Sequence, residues 1–219
     1  DDIAAGDLAI AIGNPEMLGI SDTVGHVSVV DEILTMNSID GRSTMSNRVI
    51  RIDTAINSGN SGGGLFDGEG KLMGIVNAKM SSSIATGISY AIPSNVAINV
   101  ADSVIFYCAD TDNEKPERPV VEMTADVPES KAYFNPETAV FEKVERATVS
   151  GVATDNELYS AVSVGDVFVS IKIGDTEKKI TRKYILTDMI LKAKKNDLIE
   201  ITLLHDGREY TVKVPVTED

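Results

Sequence analysis

Ile52-Asp53-Thr54-Ala55-Ile56-Asn57-Ser58-Gly59-Asn60-Ser61-Gly62-Gly63-Gly64-Leu65-Phe66 is the stretch on which the fold of this 219-residue chain turns. Its centre, Gly59-Asn60-Ser61-Gly62-Gly63, has the form G-x-S-x-G, a hydroxyl set among residues that let the backbone turn tightly. The residues after the serine decide between the motif's possible uses. Leu65-Phe66 and Leu72-Met73-Gly74-Ile75-Val76 are short apolar runs, and Asp67-Gly68-Glu69-Gly70 between them is hairpin text. Gly62, Gly63 and Gly64 in succession would make a poor first helical turn.

Two unrelated hydrolase folds use G-x-S-x-G. In one, the α/β-hydrolases, the serine sits on a strand-to-helix elbow, so a helical pattern has to come next. The hairpin after Ser61 argues against that elbow. The other use is a loop of a β-protein, as in chymotrypsin-like enzymes. There, glycines around the serine turn backbone N–H groups inward, and two such donors stabilise an oxyanion by a few kcal/mol. Taken alone, the five residues fit a glycine-rich hairpin without chemistry equally well.

Working outward, residues 1–105 carry short apolar runs separated by turn signals, the spacing of a β-barrel or sandwich. Leu8-Ala9-Ile10-Ala11-Ile12 precedes Gly13-Asn14-Pro15, and Val27-Ser28-Val29-Val30 and Val49-Ile50-Arg51-Ile52 come after it. A helix is expected after Pro93, capped by Ser94 or Asn95, with Val96, Val100 and Val104 as its apolar stripe. Residues 106–119 read as a charged, proline-bearing linker. Its Asp110-x-Asp112-x-Glu114 spacing lacks the glycine and the later glutamate of a calcium loop. Residues 120–219 form a second unit. Strands are expected at Ala139–Phe141, Val167–Ile171 and Leu198–Leu203, a helix near Lys183–Lys194, and a closing hairpin around His205-Asp206-Gly207-Arg208.

A formal net charge of −14 argues against nucleic acid or an anionic membrane as partner, because phosphate binding needs clustered cations. A single cysteine, Cys108, excludes an internal disulfide and a cysteine-rich zinc site. No metal or organic cofactor is implied. No apolar run is long enough to span a bilayer, and no signal-peptide pattern opens the chain, whose first residues read like the middle of a domain.

Four segments in order resemble the HtrA (DegP/DegS-like) family of trypsin-like serine proteases. They are Gly6–Pro15, Thr23–Ser28, the Ile52–Phe66 stretch, and Thr86-Gly87-Ile88-Ser89-Tyr90-Ala91-Ile92-Pro93-Ser94-Asn95. Ser160–Ile171 resembles the signature of the PDZ domain that comes after the protease in that family. The resemblance implies a mainly β fold: the second six-stranded barrel of a trypsin-like protease, then a PDZ domain, itself a small, partly open α+β barrel. It implies a serine endopeptidase acting on unfolded or damaged polypeptides outside the cytoplasm. Ser61 would be the nucleophile, and Gly59, Asn60 and Ser61 would form the oxyanion hole. Ala55 and Ile56 would floor a substrate pocket walled by Asn77, Ala78, Lys79, Ile88 and Tyr90. Val120, Val121, Glu122 and Met123 would be the loop that holds a peptide carboxylate. C-terminal or extended peptides would be partners of that domain.

Several positions depart from the family pattern. Its catalytic His and Asp come from a first barrel, which would precede residue 1 and also carry the trimer contacts and any membrane anchor or secretion signal. Here His26 falls on a strand, His205 in a hairpin turn read as solvent-exposed, and Asp7 in the later strand fixed by Gly13-Asn14-Pro15. The triad is therefore expected to be incomplete, and the chain alone inactive. The alternative is an inactive scaffold in which only peptide binding matters. Ser58 and Gly64 replace prolines and are expected to loosen the oxyanion loop. Lys79 stands at a usually apolar place. Glu122 replaces a glycine and puts a negative charge where an anion would sit.

Overall fold

Alternation along Leu8–Gly13 (β1) sends Ala9 and Ala11 into a core and leaves Leu8 and Ile12 partly exposed, the period of two that makes a half-buried strand. The computed structural model describes residues 3–15, 19–37, 44–79, 87–108, 119–137, 140–153, 160–194 and 196–218. The chain divides into two compact units, Asp1–Ile98 and Asn99–Asp219.

In the first unit β1 is succeeded by β2 (Ser21–Asn37), β3 (Thr44–Ile52), β4 (Gly64–Phe66), β5 (Leu72–Lys79) and β6 (Ser89–Pro93). They close into an antiparallel barrel in the order β1-β2-β3-β6-β5-β4. Closure comes from β1, which pairs with β2 through Leu8–Gly13 and with β4 through Ile10–Ile12. The interior holds Ala9, Ala11, Val27, Ile50, Ile52, Ile56, Leu65, Met73, Val76 and Ala91, small side chains on β1 and β6 facing larger ones on β3 and β4. The turn Asp67–Gly70 lies where the hairpin was expected, and the Asp67 carboxylate accepts the N–H groups of Glu69 and Lys71. Helix α1 (Ser94–Cys108) starts directly after β6. Its expected stripe is not sealed, since Val100 and Val104 remain 43% and 44% exposed. A 3.6-residue period predicts a face without saying what covers it.

The second unit runs β7 (Pro119–Val120), β8 (Met123–Asn135), β9 (Val140–Val152), β10 (Val167–Ile173), β11 (Thr176–Lys179), α2 (Lys183–Ile190), β12 (Leu198–His205), β13 (Arg208–Pro215) and β14 (Thr217–Glu218). Its main sheet is ordered β13-β12-β10-β9-β8, with β11 on β10, and β14 pairs with β7. Phe168, Ile171, Leu186, Met189, Ile199, Ile201, Leu203, Val212 and Val214 are among the residues that fill its core. Helix α2 stops four residues short of its expected end, because Lys192 and Ala193 bond to the carbonyls of Met189 and Ile190 in tighter i→i+3 turns. Residues 109–118, most of the expected linker and its calcium-like spacing, lie outside the described residues, while 106–108 continue α1.

Candidate active site

Ser61 lies between the turn that ends at Asn60 and the start of β4, and it is exposed. The loop is anchored on both sides. Asn14 N–H donates to the Gly59 carbonyl (3.2 Å), Gly62 N–H to Val76 O (2.8 Å), and Val76 N–H to Gly63 O (2.9 Å). Within the loop, Asn60 N–H reaches Asn57 O (3.0 Å) and Gly63 N–H reaches Asn60 O (2.9 Å). Gly64 already belongs to a strand, paired with Ile12 and Ile75. These bonds correct the expectation of a loosened loop: ladder hydrogen bonds do the stiffening that prolines would otherwise do.

The pattern of N–H groups in this loop alternates. Asn60 and Gly62 donate inward, whereas the N–H groups of Gly59 and Ser61 have no acceptor among the described residues. Gly59 holds φ at +101° and Gly62 at +85°, values that L side chains rarely adopt. Asn60 is buried, and its Oδ1 has no hydrogen-bond partner among the described residues. The Ser61 hydroxyl donates to the carbonyl oxygen of Asn77 (3.2 Å), which has no basicity with which to activate it.

Of the expected pocket residues, Asn77 borders Ser61 through that contact, Ala55 is exposed and Ile88 is half-buried. Ile56 is 2% exposed and packs in the barrel core. Tyr90 is buried as well, and burial pushes its phenol up, with the charge of Glu32 adding to the effect and Arg51 opposing it. Ala78 and Lys79 lie in β5, and their side chains are outside the described set. His26 is exposed and pairs with Leu8, whereas the Ser61 loop abuts Ile12–Asn14, at the other end of β1. The four residues from Leu8 to Ile12 are about 13 Å of strand.

The second unit has a groove beside an open edge. Strand β8 ends the sheet order, and Val121, Met123, Ala125, Phe168, Lys183, Leu186, Thr187, Ile190 and Ile201 line a cavity of about 120 Å³ there. Val120 lies in β7, and Glu122 is exposed, its carbonyl accepting the N–H of Ala153 (3.0 Å).

A second cluster lay hidden in the sequence. His205, expected to be merely solvent-exposed, places Nδ1 2.5 Å from Oδ1 of Asp166, which is 2% exposed. The same carboxylate accepts the Tyr210 hydroxyl and the Ser163 N–H (2.8 Å). Burial works to raise the Asp166 carboxyl, but donation from Tyr210, Ser163 and His205 outweighs it and holds the group below the usual carboxylate range. The hydrogen bond and charge of Asp166, with Asp206 nearby, push His205 up. Only the hairpin register could have exposed this pairing, since 39 residues separate the partners.

Comparison with known proteins gives this geometry a context. Residues 1–75 match the model of the trypsin-like peptidase domain. The chain is 30% identical, over 99% of its own length and 47% of the other's, to the serine protease Do-like HtrA of Bacillus subtilis. It is 31% identical, over 100% of its length and 40% of the other's, to a probable periplasmic serine endoprotease DegP-like protein of Rickettsia prowazekii. Among solved structures, the HtrA-type protease AlgW with a tripeptide aligns over the whole chain and 67% of that protein, with a TM-score of 0.61 and 27% identity. The chain spans about half the length of the curated relatives it matches. Barrel, serine loop and whole-chain similarity agree, and the chain is a member of the HtrA-type, trypsin-like serine protease family.

Proposed function

We propose that this chain provides the nucleophile-bearing barrel and a PDZ-type peptide-binding unit of a serine endopeptidase that cleaves unfolded or damaged polypeptides outside the cytoplasm. The observation that carries the reading is the alternation at Ser61. The hydroxyl is exposed, and the N–H groups on either side of Asn60, those of Gly59 and Ser61, are left without acceptors among the described residues. Ser61 Oγ adds to the scissile carbonyl, and the carbonyl oxygen, now negative, takes up those two N–H groups. The Oγ proton has to pass to a base and then to the leaving amine, after which water hydrolyses the acyl-enzyme.

Among the described residues no histidine stands beside Ser61, and the hydroxyl rests on the Asn77 carbonyl. The reading therefore assigns the histidine and its orienting aspartate to polypeptide outside these 219 residues, and these residues alone do not turn over substrate. The name of the Rickettsia relative supports an extracytoplasmic setting. No helix among the described residues is long and apolar enough to cross a membrane.

The second unit, taken as residues 120–219, binds extended peptides by adding a strand to the open edge of β8, with side chains entering the groove beside α2. Glu122 at the start of β8 disfavours a free C-terminal carboxylate there. The test of the catalytic reading is cleavage of an unfolded polypeptide by the complete product of the gene. Ser61→Ala is expected to lower the rate by at least about 10³-fold. Cleavage that survives the substitution, or a wild-type protein that binds but never cleaves, would leave only an inactive peptide-binding scaffold.

A further inference from the structure

Lys183 is the first residue of α2, a position where the helix dipole disfavours a cation, and the first turn contains no acidic residue to offset it. Its neighbours are accounted for. Arg182 places Nε 3.5 Å from Glu145 and its guanidinium 5.4 Å from the Tyr184 ring centroid. Glu145 also pairs with Lys143 at 2.7 Å and accepts the backbone N–H of Lys183 at 3.0 Å. The Lys183 ammonium, by contrast, has no ion pair among the described residues. Its side chain is exposed and lines the groove beside β8, whose other walls are apolar apart from Thr187. A cation set against the dipole with no partner is a local rule broken without structural return, which is the mark of a functional position.

We infer that this groove selects extended peptide segments in which an acidic side chain accompanies an aliphatic one, and that Lys183 reads the acid. The inference rests on the reading of the second unit as a peptide-binding module. A strand added along β8 sends alternate side chains to the same face, so an aliphatic residue can fill the cavity of about 120 Å³ while another reaches Lys183. On a chain of net charge −14, acidic segments are repelled in general, so their acceptance depends on a cation placed at the groove wall. Glu122 at the start of β8 requires the acid to be a side chain rather than a chain terminus.

Fluorescence anisotropy on the 219-residue chain tests this. The probes are dye-labelled hexapeptides, acetylated and amidated, each with a central Val and with Glu, Gln or Lys placed in turn at the other positions. At one position Glu is expected to bind about two- to fivefold tighter than Gln. That gain shrinks with added salt, disappears in Lys183→Gln, and passes to the Lys peptide in Lys183→Glu. Both substitutions are at an exposed position, and an unchanged thermal melt serves as the folding control. Equal binding of Glu and Gln peptides at every position, or a Glu gain that survives Lys183→Gln, overturns the inference and leaves peptide binding standing. Absence of binding by every peptide overturns both.

Discussion

Gly59 carries two constraints at once. Its φ of +101° lies in the region that only glycine enters cheaply, and a Cβ there would run into the carbonyl of Asn14, whose own N–H donates to Gly59 O. Gly59→Ala is expected to cost about 2–4 kcal/mol through backbone strain and overpacking, read as a lower urea midpoint for the chain. A variant as stable as the parent would show that the loop does not need this conformation. The glycine pattern made Ser61 legible from residue types alone, because few other reasons cluster four glycines around one hydroxyl. Asn60 was not legible in the same way. Its burial, with an unpaired Oδ1 among the described residues, results from the close approach of Gly13, far away in the sequence. Resemblance puts Ile56 at a pocket floor, but the inward alternation of the barrel takes its side chain into the core instead.

At the scale of elements, strands with clean alternation and sharp turns can be read, and those without cannot. β1, β5 and the β12–β13 hairpin fall where their apolar runs lie. The long β8–β9 hairpin is legible only at Ala139–Phe141, because Pro128 and scattered charges break its period and two register shifts interrupt its pairing. Its outer part is also exposed, with Phe134 and Phe141 packing on each other 5.4 Å apart across the strands rather than on a core.

The Asp166–His205–Tyr210 cluster ties the β12–β13 hairpin to the turn before β10. Its pH dependence comes from the two shifts. His205 is raised, so its stabilisation is complete below about pH 6.5 and is lost as pH rises through the raised value. Asp166 is lowered, so its contribution is present above about pH 4 and is lost as pH falls through the lowered value. The groups facing His205 among the described residues are Asp166, Asp206 and Tyr210. Urea unfolding of the second unit should therefore weaken above neutrality in the parent and lose that limb in His205→Gln. Asp166→Ala, which leaves the Tyr210 and Ser163 donors unpaired, should cost about 2–4 kcal/mol. Identical pH profiles for the parent and His205→Gln would dissolve the link.

For the whole molecule, two cores that share no buried side chain account for a chain whose composition changes near residue 106. The order of motifs gave the barrel and its family, because the barrel's own short-range pairings sit beside each motif. It did not give a base for Ser61, and neither histidine supplies one: His26 sits at the far end of β1, and His205 pairs with Asp166 in the other unit. Ser61 is thus a nucleophile prepared by its own backbone but activated by groups outside these residues. The most direct measurement is intact-mass and peptide mapping after treatment with a fluorophosphonate probe, on the complete gene product and on this chain side by side. One adduct is predicted on Ser61 in the complete protein, and a rate at least about 10³-fold lower for the isolated chain. An adduct elsewhere, or equal labelling of Ser61 in both, would contradict this.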